Sequence, residues 1–219
     1  MRKEAIALLL ITVFIFLCAL TAKGATVVGS KHDLSGNSSD QPCVYCHTPH
    51  FASTTISAPL WNRNIGNVTF QIYSSPTMDT AIPSTPGGVT LACLSCHDGV
   101  LADGDKHNLL NGPGSGSVPD TTSNPNCMRC HGDLFGDPVN WKLGTDLRND
   151  HPISMTYPTA QQDTGFFIPP DLQKGWTEVP LFSGKVECAS CHNVHDPTKV
   201  PFLRIANTGS ALCYKCHNK

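Results

Sequence analysis

Cys43-Val-Tyr-Cys46-His47-Thr-Pro-His50 decides how this chain is read, and Cys188-Ala-Ser-Cys191-His192-Asn-Val-His195 repeats its pattern near the other end. Three further pentapeptides share the C-x-x-C-H core: Cys93-Leu-Ser-Cys96-His97, Cys127-Met-Arg-Cys130-His131 and Cys213-Tyr-Lys-Cys216-His217. They are numbered here as motifs I to V in chain order, so the two extended copies are I and IV. Ten of the 11 cysteines lie in these motifs, and the other is Cys18.

C-x-x-C-H is the attachment site of c-type haem. Two thiols add across the two vinyl groups of one porphyrin edge, and the next residue sets an imidazole under the iron. Five disulfides, zinc ribbons or a thiol redox pair would also use paired cysteines. None of these requires His after the second Cys, and here all five pairs have it. The expected cofactor is therefore five covalently bound haems c. Cys43, Cys46, Cys93, Cys96, Cys127, Cys130, Cys188, Cys191, Cys213 and Cys216 attach them. His47, His97, His131, His192 and His217 are the proximal iron ligands.

Five histidines remain: His32, His50, His107, His151 and His195. That is the number needed to close the far side of every iron, so a fully bis-histidine set is expected. Met78 and Met155 are rival axial ligands that would raise a haem's potential. An iron held by two protein ligands offers no open position to a substrate, whereas catalytic metal sites keep one. The expected role is to pass electrons, with no catalytic residue. A side chain three residues beyond a proximal His cannot reach the opposite face of the same porphyrin. His50 is expected on the haem of motif II, and His195 on that of motif V.

Composition agrees with this reading. The 219 residues carry only 15% charged side chains, against roughly 25% in an average globular protein. With 18 glycines and 17 prolines the chain is too loop-rich for a helical bundle. A formal charge of −2 gives no basic surface for nucleic acid. Ala5 to Leu20 is an apolar run behind a short basic start, followed by Ala22-Lys23-Gly24. Residues 1–24 are read as a secretory signal peptide. The run is short of the roughly 20 residues needed to span a bilayer, so no stable membrane span is expected. Leu17 stands before Cys18 where a lipoprotein site wants a small residue. Beyond residue 24 the chain keeps 12 basic and 16 acidic residues, a charge of −4.

Residues 25–219 read as a single pentahaem domain. The fold class is a multihaem cytochrome c, mostly coil with a few short helices, its core built from stacked haems in place of a large side-chain core. Trp61, Trp141, Trp176 and Phe166-Phe167 are expected to pack on haem faces. Arg63 and Arg204 are candidates by position to neutralise haem propionates. A weak repeat joins the two ends: after motif I comes Pro59-Leu60-Trp61-Asn62-Arg63, and after motif IV comes Pro201-Phe202-Leu203-Arg204.

The extended motif I with Pro59–Arg63, the Asp150-His151-Pro-Ile-Ser segment, and the closing run from Cys188 through Phe202-Leu-Arg to Lys219 resemble a known group. It is the extracellular, filament-forming multihaem cytochromes of metal-reducing bacteria, of the outer-membrane cytochrome S and E kind. The resemblance implies bis-histidine haems in one continuous stack, and protomers joined head to tail in a conductive filament. It implies that a histidine near the mature N-terminus, here His32, ligates a haem of the next protomer, with the fourth haem (His192) as acceptor. A head-to-tail contact that does not close gives an open filament. Partners would be further copies of the chain, other redox proteins and extracellular metal oxides. The alternative is a soluble periplasmic pentahaem carrier feeding a terminal reductase.

Overall fold

A computed structural model describes residues 26–35, 41–63, 65, 68–81, 83–98 and 143–218. Motif III (Cys127, Cys130, His131), His107, Trp141 and the expected signal peptide lie outside the described residues. So does Lys219.

Regular structure is sparse, as the glycine and proline content predicts. Strand β1 (Gln71–Ile72) pairs in parallel with β2 (Asp146–Leu147). Strand β3 (Met155–Thr156) pairs antiparallel with β4 (Lys185–Val186). Helix α1 (Thr90–His97) carries motif II, and the single turn α2 (Cys188–Cys191) carries most of motif IV. Short 3₁₀ turns, Pro42–Tyr45 and Cys213–Lys215, carry parts of motifs I and V. Among the described residues no helix is long and apolar enough to cross a membrane.

The side-chain core is small. Phe70, Leu94 and Leu147 form one buried cluster, with Ile65, Val68, Leu91 and Ile153 packed against it. It seats α1 against the β1–β2 pair. Met155, Tyr157, Val179 and Leu181 are also buried, beneath the segment that leads into motif IV. Met155 is thus a core residue of β3. Met78 lines a surface pocket of about 340 Å³ with Ile72, Tyr73 and Pro83.

A tight loop, Asp171–Pro180, closes over Leu181. Gly175 sits at its centre, bridged to both Asp171 and Pro180. Its φ of +78° is in the left-handed region, and a Cβ there would lie 2.5 Å from the Leu181 amide nitrogen and 2.7 Å from the Val179 carbonyl oxygen. Only glycine fits. Gly175→Ala adds a left-handed cost of about 1–2 kcal/mol to a clash with main chain. Thermal unfolding of the haem-loaded protein should show a loss of about 2 kcal/mol or more, and a midpoint lower by about 5 °C.

Candidate haem sites

Each described motif lies on helical turns, those of motif II within α1. The His47, His192 and His217 amides donate to the Cys43, Cys188 and Cys213 carbonyls at 2.9, 3.0 and 2.9 Å. Residues three apart share one face of such a turn, so both thiols point the same way and the histidine follows them. The eight described motif cysteines are free of disulfides. Among the described residues no three His, Cys, Asp or Glu converge as a zinc site would require.

The proximal histidines of motifs I, IV and V are then fixed by one repeated main-chain ladder. In motif I, Asn62 N–H donates to Cys46 C=O and Thr48 N–H to Leu60 C=O, both at 2.8 Å. In motif IV, Arg204 N–H donates to Cys191 C=O at 2.9 Å, and Asn193 N–H to Phe202 C=O at 2.7 Å. In motif V, Phe167 N–H donates to Cys216 C=O and Asn218 N–H to Gly165 C=O, both at 2.8 Å. The bridges His47↔Trp61, His192↔Leu203 and Phe166↔His217 are its centres. In the first two copies the ladder strand also orients the ring. His47 Nδ1–H donates to the Pro59 carbonyl at 2.6 Å, and His192 Nδ1–H to the Pro201 carbonyl at 2.8 Å. That hydrogen bond fixes the tautomer and leaves Nε2 with its lone pair free for a metal.

The weak repeat is therefore a structural one, matched donor for donor. Leu60 and Phe202 occupy equivalent left-handed positions, with φ of 51° and 61°. Such a backbone is costly for bulky residues and persists only where the surroundings demand it. Here it sits beside the proline carbonyl that receives the imidazole N–H. Asn62 and Arg204 are equivalent too. Asn62 Nδ2 donates to Val44 C=O at 2.8 Å and Arg204 Nε to Ala189 C=O at 2.7 Å, each bracing the first residue between the cysteines. Arg63 Nη1 donates to Cys96 Sγ at 2.5 Å. Both arginines thus hydrogen-bond within an attachment segment, Arg63 in motif II and Arg204 in motif IV.

The spare histidines supply three facing pairs. Ring centres of His47 and His195 are 6.2 Å apart and nearly parallel, at 21°. His32 and His97 are 6.0 Å apart, and His151 and His217 are 6.3 Å apart. A metal–imidazole bond of about 2 Å, plus roughly 1 Å from that nitrogen to its ring centre, gives a span of about 6 Å for two imidazoles on one metal. All three pairs have that span. His151 is also oriented by its own turn, with Nδ1 2.9 Å from the Pro152 carbonyl. His32 is half-buried beside Phe202, their rings 4.6 Å apart edge to face. Its Nδ1 is buried without a hydrogen-bond partner among the described residues. Burial, then the neighbouring His97, His192 and His195, lowers its pKa to about 4, so the ring is neutral. The residues fit a c-type haem: the cysteines would hold its edge, imidazoles would ligate its iron, and the group would supply a reversible one-electron couple.

The structure sets these histidines beside other motifs than chain order suggests. His195 lies against His47 of motif I, His32 against His97 of motif II, and His151, unplaced by sequence, against His217 of motif V. Tertiary packing brings motif IV beside motif I.

Aromatic residues brace the motifs. Trp61 stands edge-on to His47 at 5.8 Å, and its Nε1–H donates to Ser95 Oγ of α1 at 3.2 Å, tying motif I to motif II. Phe166 packs on His217 at 4.6 Å. Trp176 packs on Tyr157, whose hydroxyl donates to the Phe167 carbonyl at 2.7 Å.

The motifs also meet one another. Cys46 of motif I lies close enough to Cys96 of motif II for each to feel the other's charge, and Cys191 of motif IV has the same relation to Cys216 of motif V. Cys93 of motif II and Cys188 of motif IV lie near enough to perturb one another, Cys188 raising the Cys93 thiol pKa and Cys93 lowering that of Cys188.

Replacing a distal ligand tests the pairing. His195→Ala should keep every thioether but convert the haem at Cys43/Cys46 to high spin, while His151→Ala should do so at Cys213/Cys216. Electron paramagnetic resonance reads the spin state, and haem-methyl nuclear magnetic resonance identifies the haem. His195→Ala acting on the Cys213/Cys216 haem would overturn the pairing.

Comparison with known families agrees with the site. Residues 28–132 match the family model described as cytochrome c7 and related cytochrome c. Residues 180–219 match the model described as a doubled CXXCH motif. No curated protein matches the chain.

Proposed function

We propose that this chain, a multihaem c-type cytochrome with a cytochrome c7-related region, relays single electrons outside the cytoplasm through five haems, each iron closed by two imidazoles. The observation that carries this is the set of three histidine pairs with ring centres 6.0 to 6.3 Å apart. Each pair joins a proximal ligand to a histidine remote in sequence, so the sixth position is filled by design of the fold. A closed iron exchanges electrons at its porphyrin edge and transforms no bound substrate. The protein is on this reading a carrier and not an enzyme. His131 and His192 are then completed by His50 and His107.

Export on this reading rests on residues 1–24, an apolar run behind a short basic start. Within that space we favour the extracellular face, on the resemblance of both chain ends to filament-forming cytochromes. Head-to-tail assembly would then rest on surface contact and not on a histidine shared through His32. Phe51 (71% exposed), Leu60 (54%) and Val200 (88%) place apolar side chains on the equivalent loops of motifs I and IV, where such contacts could form. Other redox proteins and extracellular metal oxides are the partners of this reading. A self-contained periplasmic carrier is the second reading, favoured by His32 lying inside its own chain.

Two measurements check this. The ferric protein should show low-spin signals alone, and the ferrous protein should fail to bind carbon monoxide. Rapid binding by one or more haems would sink the closed-iron relay. Sedimentation at rising concentration, with negative-stain microscopy of shed cell-surface material, should show polymers; a lone monomer recovered from the periplasmic fraction would establish the carrier.

A further inference from the structure

Glu187 is 2% exposed, a carboxylate enclosed by protein between two haem-bearing segments. It is the residue immediately before Cys188, and it caps α2: its side chain accepts from the Ser190 amide while Ser190 Oγ accepts from the Glu187 amide at 3.0 Å. Its Oε2 accepts from Thr90 Oγ–H at the start of α1, and from Ser154 Oγ–H at 2.9 Å. Thr90 Oγ1 in turn accepts from the Cys188 amide at 3.1 Å. Thr90 and Ser154 are wholly buried. Gly88, at φ +53°, lets the chain pass the carboxylate, since a Cβ there would lie 3.4 Å from Oε1. Ser154 Oγ also accepts from the Gly87 amide at 3.0 Å. One carboxylate thus gathers α1, α2 and the β3 segment where motif II meets motif IV.

Nothing in haem attachment or iron ligation requires this arrangement. Burying a carboxylate is costly unless it is fully hydrogen-bonded, and removing one partner of such a network leaves the rest unsatisfied. A capping serine or threonine at position 187 would serve α2 alone without reaching α1.

We propose that Glu187 is a positioning residue for electron transfer: by clamping α1 to α2 it holds the attachment segments of motifs II and IV together, so that haems carried there would form the crossing between the two halves of the relay. The proposal rests on the relay reading above. The route therefore departs from chain order and passes from motif II to motif IV directly. Haem held at motif II would give up one electron and haem held at motif IV would accept it, with no bond formed or broken and no proton exchanged.

Glu187→Ala and Glu187→Gln in the full-length, haem-loaded protein test it. Haem content by mass and low-spin signals by paramagnetic resonance report whether the relay itself is intact. Haem-methyl exchange in the half-reduced protein reads the rate between the motif II and motif IV haems, and Soret circular dichroism reads their mutual geometry. Glu187→Ala should retain every haem in low-spin form, lose at least half of the exciton splitting, and slow that exchange tenfold or more. Glu187→Gln, which keeps the length and an acceptor oxygen, should recover the rate to within threefold. If Glu187→Ala does not mature, Thr90→Val removes one arm of the clamp and should slow exchange at least threefold. Unchanged exchange in a fully loaded, low-spin Glu187→Ala or Thr90→Val protein would overturn the crossing. High-spin iron in the unaltered protein would instead overturn the relay.

Discussion

The hydrogen bond from a proximal imidazole Nδ1–H to a backbone carbonyl is the constraint on which the described structure turns. It selects the tautomer, aims Nε2, and requires that a strand segment run beside the motif with its carbonyl in place. Pro59 and Pro201 supply that carbonyl at 2.6 and 2.8 Å. The left-handed residues that follow, Leu60 and Phe202, are the bend that brings the next amides back to the motif. The haem motif alone specifies a covalent attachment. The ladder beside it specifies an oriented ligand.

From that starting point the fold is organised by contacts between motifs and less by a side-chain core. Leu94 and its neighbours bury one face of α1, but the long-range ties are polar and local. Trp61 reaches Ser95, Arg63 reaches Cys96, and Thr90 reaches Glu187 and Cys188. The Tyr157 hydroxyl is tied to carbonyls on both sides of motif V, and burial raises its pKa. Each tie fixes one attachment segment relative to another, which is the quantity an electron relay depends on.

The attachment sites were legible because their chemistry is local: a five-residue pattern needs no knowledge of the fold. The Pro59–Arg63 and Pro201–Arg204 repeat was visible as well. Arg204 stands where Asn62 stands, one place before Arg63, because the main-chain ladder and not the charge sets the alignment. Distal pairing was not legible. His195 follows His192 by three residues yet faces His47, and His32 faces His97, through contacts that no local pattern encodes. Glu187 gave no sequence signal either. It is an ordinary acidic residue before a motif, and its partners Thr90 and Ser154 are distant in the chain.

The ladder draws almost wholly on peptide groups, so its side chains are nearly free to vary. Trp61, Leu203 and Phe166 fill one place in three copies, as Leu60, Phe202 and Gly165 fill another. A cassette defined by main chain can be duplicated, transplanted before or after its motif, and then drift until its ancestry is faint. Lineages could lengthen or shorten such a wire one cofactor at a time, with little to relearn at each new socket.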